Sequence, residues 1–148
     1  MIPLFDTNIF LSYKPHLTRT HFANMALSVV VLYELRANPL DQSLIQRYES
    51  WRKEFAGDGM LLTPTMSDWW ETARIVSRLR EQDKRAHHGQ TPPLASATAL
   101  QNDALIARTA FMHRPKCTVI TANTADFARL RDFWDFPLVH PDKFFGLA

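Results

Sequence analysis

The chain has one cysteine, Cys117, in 148 residues. That excludes a disulfide framework and any cysteine-rich zinc site, and places Cys117, within CTVIT, as a buried strand residue. Long apolar runs are missing too: no stretch approaches the roughly 18 to 20 residues of a membrane span. The start, MIPLFDTN, lacks the basic and extended apolar regions of a secretory signal. A cytoplasmic protein with no membrane contact is the expectation. Nor is there a strong excess of either charge. Seventeen Lys and Arg against fifteen Asp and Glu leave +2, too little to establish a nucleic-acid partner from net charge.

What the chain does have is 46% hydrophobic residues, enough at this length for one core and not for two. Residues 1–148 therefore read as a single domain. Short apolar runs alternate with longer helical patterns. The strand candidates are IPLF (2–5), LSVVV (27–31), MLLT (60–63), CTVIT (117–121) and PLVH (137–140). None shows strict in/out alternation, as expected of strands covered on both faces. Leu44, Tyr48, Trp51 and Phe55 form one helical stripe, and Trp69, Ala73, Val76 and Leu79 a second. Pro39 and Asp41 precede the first helix, with Gly57 and Gly59 after it; Ser67 and Asp68 open the second, and Gly89 ends it. GQTPPLASAT (89–98) reads as a loop inside the domain. This alternation predicts an α/β fold on a mainly parallel sheet.

In such sheets ligands gather beyond the carboxyl ends of the strands. Asp6 directly follows IPLF, in the trio Asp6-Thr7-Asn8. A helix N-cap alone would account for that trio as well. Glu34 lies about one helical turn beyond the LSVVV run, and a solvated glutamate is the plain alternative. Asp103 shares a helix face with Ala107 and Ala110, a small-residue face suited to close packing on a sheet. Its place near a helix start offers a dipole explanation. In CTVITANTADF a strand again ends in a polar run. Asn123 could cap the next helix with Asp126 in a relative of the capping box, or offer its amide oxygen beside Asp6. Together Asp6, Glu34, Asp103 and the Asn123/Asp126 pair can lie at one edge of one sheet. Carboxylates so grouped repel unless a cation sits among them. Oxygen donors alone select Mg²⁺ or Mn²⁺ over zinc, and the chemistry is that of nucleases and phosphatases.

These motifs resemble the PIN-domain ribonucleases, and within them the VapC-type toxins of bacterial toxin–antitoxin pairs. The resemblance covers most of the chain: DTN after the first strand, Glu34 after the second, DALIARTA around Asp103, and VITANTADF, in that order. It implies a three-layer α/β/α sandwich whose five-stranded, mainly parallel sheet has the order 3-2-1-4-5. It further implies a Mg²⁺- or Mn²⁺-dependent endoribonuclease, a homodimer, and inhibition by a small antitoxin protein. Asp6, Glu34 and Asp103 would be its metal-site acids. At Asn123 the chain departs, since many members carry Asp there. Asn is neutral, which makes Asp126 the candidate for the missing charge, acting through water.

Arg74, Arg78, Arg80, Lys84 and Arg85, with His87 and His88 after them, concentrate cationic character on one helix. The face could guide RNA towards the acids; it could also be an ordinary solvated surface. Trp51, Phe55, Trp69, Trp70, Trp134, Phe144 and Phe145 are many aromatics for so small a core, and a dimer contact or an antitoxin groove would each use some. Two rivals differ in class. A haloacid-dehalogenase-like phosphatase needs a second acid where Asn8 stands, and room for a cap domain. A noncatalytic RNA- or protein-binding module on the same fold is made conceivable by Asn123, but retaining three carboxylates without a metal would only oppose folding and RNA binding.

Overall fold

The computed structural model describes residues 1–86 and 97–147. The chain enters through strand β1 (Ile2–Phe5), then helix α1 (Thr7–Ser12), a short 3-10 turn at Lys14–His16, and α2 (Arg19–Asn24). Strand β2 (Leu27–Ser28) runs directly into α3 (Val29–Arg36), followed by α4 (Gln42–Gly57), β3 (Leu61–Leu62) and the long α5 (Met66–Ala86). Beyond lie α6 (Ala97–Met112), β4 (Cys117–Ile120), α7 (Thr124–Leu130), β5 (Leu138–Val139) and α8 (Pro141–Phe145).

The expected strands exist and every pairing is parallel, but the single five-stranded sheet is not formed. Strands β1, β4 and β5 make one ladder in the order β1-β4-β5, and β2 pairs with β3 in another. The two meet through a lone bridge between Leu4 and Ala26. Two features of the sequence explain the break. Pro3 turns its carbonyl towards Ala26 and accepts its N–H at 3.0 Å, yet has no N–H to return on that side, so the ladder loses a rung. The LSVVV run then leaves the sheet early: Ser28 accepts the Val30 N–H at 3.1 Å and starts α3 at Val29. Val29, Val30 and Val31 are thus helical, against the strand expected from their β-branched side chains. Their burial, with Val31 fully enclosed, outweighs the few tenths of a kcal/mol by which valine disfavours a helix.

The α4 stripe stands as read, with Phe55 buried and Tyr48 and Trp51 packed against the core. Asp41 caps that helix by accepting the Leu44 N–H, and Gly59 beyond its end takes a positive φ of 67° that an L side chain would resist. The α5 stripe is rotated from the expected one. Asp68, Thr72, Ile75 and Leu79 face inward, while Trp69 and Ala73 do not. The cap is Thr65 and not Ser67, because Thr65 and Asp68 exchange hydrogen bonds across the first turn. The 89–98 loop, and with it His87, His88 and Gly89, lies outside the described residues apart from positions 97 and 98, which open α6.

Helix α6 is central. It packs against α5, α7, α3 and β4, and its Ala104, Ala107 and Ala110 are buried almost completely. Small side chains let the helix axis approach its neighbours closely. Around it, Leu4, Phe5, Leu105, Ile106, Val119, Ile120, Phe127 and Phe136 are enclosed, each contributing about 1.5–3 kcal/mol by burial. Cys117 is buried on β4 as expected. Among the described residues no helix is long and apolar enough to cross a membrane.

Candidate functional site

Parallel pairing in register sets the frame of the site. Phe5 on β1 lies opposite Ile120 on β4, so the chain leaves both strands at the same edge, and the Asp6 N–H donates to the Ile120 carbonyl at 3.0 Å. Asp6 is buried, at 4% exposure. One of its oxygens accepts the Thr7 N–H at 2.7 Å; the other accepts the Asn8 amide at 2.9 Å and the Thr121 hydroxyl at 2.7 Å. Capping and a place at the sheet edge are therefore compatible: Asp6 caps α1 while fixed beside the end of β4. Asn8 and Thr121 stitch the two strand ends. The Asn8 amide also donates to Thr121 at 3.0 Å, and its oxygen accepts the Ala122 N–H at 3.2 Å.

Glu34 stands in the second turn of α3 and accepts the Thr7 hydroxyl at 2.8 Å. Asp103 projects from the middle of α6, six residues beyond Ala97, so the helix-start explanation does not apply to it. Asn123 precedes α7 but makes no side-chain cap. Its amide nitrogen instead donates to Asp103 and to Asp126, each at 3.0 Å. The expected role of an amide oxygen beside Asp6 is thus reversed: with carboxylates on both sides, the amide presents its donor end. The structure does bring Asp6, Glu34, Asp103, Asn123 and Asp126 into one cluster. Sequence reasoning missed Thr7, Asn8 and Thr121, and the only available signal was that each flanks a strand end inside a motif already singled out.

The electrostatics of the cluster are unbalanced. Burial drives the Asp6 carboxyl above its ordinary range, with Glu34 adding to the effect and the hydrogen bonds from Thr121, Thr7 and Asn8 opposing it. For Asp103 burial comes first, then repulsion from Asp6, Asp126 and Glu34; together they push it up to about 8 against the Asn123 hydrogen bond. Among the described residues, the main causes of both shifts include no basic side chain. Among the described residues no three His, Cys, Asp or Glu side chains already converge tightly enough to hold an ion. The donor set nonetheless fits one in kind, since oxygen atoms and surplus negative charge suit a hard divalent cation. Asp6, Glu34 and Asp103 would hold it.

A second buried acid shows the opposite balance. Asp68, at 2% exposure, accepts the Thr65 N–H at 2.8 Å, Arg108 Nε at 3.0 Å and His113 Nε2 at 2.6 Å. Burial raises its pKa, but those donors outweigh it and hold the carboxyl at about 2. The network ties α5 to α6. Nothing in the sequence pattern points to it, since Asp68 reads there only as opening the helix.

The basic face of α5 is partly self-occupied. Arg74 pairs with Glu71 and Arg85 with Glu81 on the same helix, and Arg78 lies over the Phe133 ring at 5.8 Å. Arg80 and Lys84 are exposed. Of the aromatics, Phe55 and Trp134 are core residues, and Phe144 and Phe145 on α8 pack against Phe5. Trp69 and Trp70 remain in solvent.

No protein-family model matches the chain, and no curated protein matches it in sequence. Among solved structures it is similar to a chain of VapBC2 from Rickettsia felis, determined bound to a DNA fragment from their promoter. The two share 18% sequence identity and superpose with a TM-score of 0.52 over 95% of this chain and 98% of that one. At that identity the likeness shows a common fold, an α/β architecture with mostly parallel strands.

Proposed function

We propose that this protein is a divalent-cation-dependent endoribonuclease of the PIN type, acting as the toxin of a toxin–antitoxin pair. The observation that carries the reading is the convergence of Asp6, Glu34, Asp103 and Asp126 in one field: burial, reinforced by repulsion from the other three acids, pushes Asp103 up to about 8. A cluster of this kind, with Asp6 buried and Glu34, Asp103 and Asp126 half-buried, costs stability unless it serves a ligand of opposite charge. When bound, Mg²⁺ or Mn²⁺ would supply a Lewis acid and lower the pKa of a water. The chain's own groups do the positioning. Thr7 orients Glu34, Thr121 and Asn8 hold Asp6, and Asn123 stands between Asp103 and Asp126. The likeness to a VapBC complex supports a small antitoxin partner, and the homodimer implied by the sequence motifs belongs to the same proposal.

The test is cleavage of single-stranded or loop RNA by purified protein with Mg²⁺ or Mn²⁺, leaving 5′-phosphates. Asp6→Asn should lose at least 100-fold in rate, on the order seen when a group acting in the transition state is removed. Activity that persists in excess chelator, or survives Asp6→Asn, refutes the metal–carboxylate reading. Release of inorganic phosphate from small phosphoesters would instead indicate a phosphatase, and RNA binding without cutting a noncatalytic module.

A further inference from the structure

Beside the carboxylate cluster lies a cleft of about 430 Å³ between α3, α5 and α6. Two rings border it, Tyr33 and Trp69, 66% and 45% exposed. Large aromatic surfaces left in water mark binding sites more often than lone aliphatic ones do. Val30 and Pro64 add apolar walls, while Gln101 and Asn102 supply amides that can both donate and accept. Among the described residues no charged side chain lines the cleft. Its position is fixed by covalent adjacency: Tyr33 directly precedes Glu34 on α3, and Asn102 directly precedes Asp103 on α6. The same two helices therefore carry both the cleft and the acids.

We propose that this cleft is a nucleobase subsite, taking an unpaired base of RNA next to the scissile phosphate, with Tyr33 and Trp69 as stacking surfaces and Gln101 and Asn102 against the base edge. The proposal rests on the endoribonuclease reading and deepens it by naming the substrate class. An uncharged lining suits the neutral base and would not attract the phosphate, which belongs beside the cation. A mix of ring faces and amides suits an aromatic heterocycle with a hydrogen-bonding edge. Because the base must leave its stack to enter a cleft, duplex RNA is a poor substrate and single-stranded or looped RNA a good one.

The experiment measures binding and cleavage separately. Binding of a short fluorescent single-stranded oligoribonucleotide is followed by anisotropy in chelator, and kcat/KM is taken with Mg²⁺ or Mn²⁺, for wild type, Tyr33→Leu, Trp69→Leu and a Trp70→Leu control. Trp70 is 75% exposed and outside the cleft. Each cleft variant should weaken binding roughly 5- to 100-fold, the usual effect of losing one base–aromatic stack, while the control does not. Removing one base from the oligonucleotide should weaken wild-type binding similarly and leave the cleft variants little further affected. A thermal melt confirms that the variants fold, and should either fail to fold, Tyr33→Phe and Trp69→Phe, which keep a stacking ring, must bind at least half as tightly as wild type. Unchanged binding in both Leu variants, with wild type cutting RNA, overturns the subsite and leaves the nuclease reading intact. Cleft-dependent binding without cleavage does the reverse. If the Leu variants change the oligomeric state by sedimentation and bind RNA as wild type does, this face holds a second copy of the chain and the subsite is overturned.

Discussion

Replacing Asp103 by Asn removes the carboxyl whose ionisation the metal-free fold resists most, and the consequence can be worked out in advance. A carboxyl pushed up to about 8 from an ordinary 3.8 stays protonated in the folded state at neutral pH and ionises in the unfolded chain. The folded state thus binds the extra proton. Its contribution to stability is complete below about pH 4 and lost as pH rises to about 8, at up to about 1.4 kcal/mol per pH unit. Integrated to neutrality the loss approaches about 4 kcal/mol, of which side-chain relaxation and water entry leave roughly 1–3 kcal/mol to be observed. Asn keeps an oxygen to accept from Asn123 and does not titrate. Asp103→Asn should therefore be the more stable protein at neutral pH in chelator, by roughly 1–3 kcal/mol, or a melting temperature higher by about 3–10 °C for a chain of this size. The advantage should shrink towards pH 5. Urea unfolding of both proteins across that range isolates Asp103, because other titrations cancel in the difference. Adding Mg²⁺ should stabilise wild type more than the variant and narrow the gap, while cleavage by the variant is abolished. A variant that is less stable than wild type, or shows no pH-dependent difference from it, refutes the unbalanced-charge argument.

Asp68→Asn should act in the opposite sense. A carboxyl held at about 2 against 3.8 contributes about 2 kcal/mol at neutral pH, lost as pH falls from about 4 through about 2, so the variant should melt lower and show a flatter acid limb. Arg108→Met, which leaves the Asp68 charge buried with one partner fewer, should lose about 3–5 kcal/mol in chemical denaturation. Asn123→Asp should lower the Mg²⁺ concentration for half-maximal cleavage, since added ligand charge raises affinity for a hard cation; Asp126→Asn should raise it. If neither moves the requirement, the segment after β4 is structural and the cation is held by Asp6, Glu34 and Asp103. Expression of the protein alone should arrest bacterial growth and a small neighbouring-gene product should relieve it; harmless expression of active protein argues for a housekeeping ribonuclease.

Much of this was legible along the chain because the relevant signals are local. A polar run that begins where an apolar strand ends needs no tertiary knowledge, and Asp6, Asn123 and Asp126 are legible that way. Where the reading failed, the cause was long-range. The three valines at 29–31 carry strand propensity, yet Ser28 and the burial of the segment make them helical. Pro3 is innocuous in a strand read alone and matters only because its missing N–H faces β2. By apolar count the α5 stripe runs through Trp69, Ala73, Val76 and Leu79. Its true inward face includes Asp68 and Thr72, polar residues no hydrophobic pattern selects. Asp103 was found for its small-residue face, while its supposed place at a helix start depended on a boundary the pattern could not set.

Asp68 and Asp103 make the strongest internal argument for where function lies. Both are aspartates on helices that pack against each other, both are shielded from solvent, and burial pushes each carboxyl the same way, upward. Their surroundings then divide them. Asp68 meets a guanidinium, an imidazole and a backbone N–H, and is held at about 2. Asp103 meets other carboxylates and a single neutral amide, and rises to about 8. The first is a satisfied charge, and its removal harms the fold. The second is a carboxyl whose surroundings oppose its ionisation, so packing gives no reason to keep an acid there. Groups whose environments drive their protonation apart in this way separate structural from chemical roles. Arg108, which anchors Asp68, lies on the same helix as Asp103, and His113 directly follows that helix, so the satisfied network holds Asp103 in place at the sheet edge.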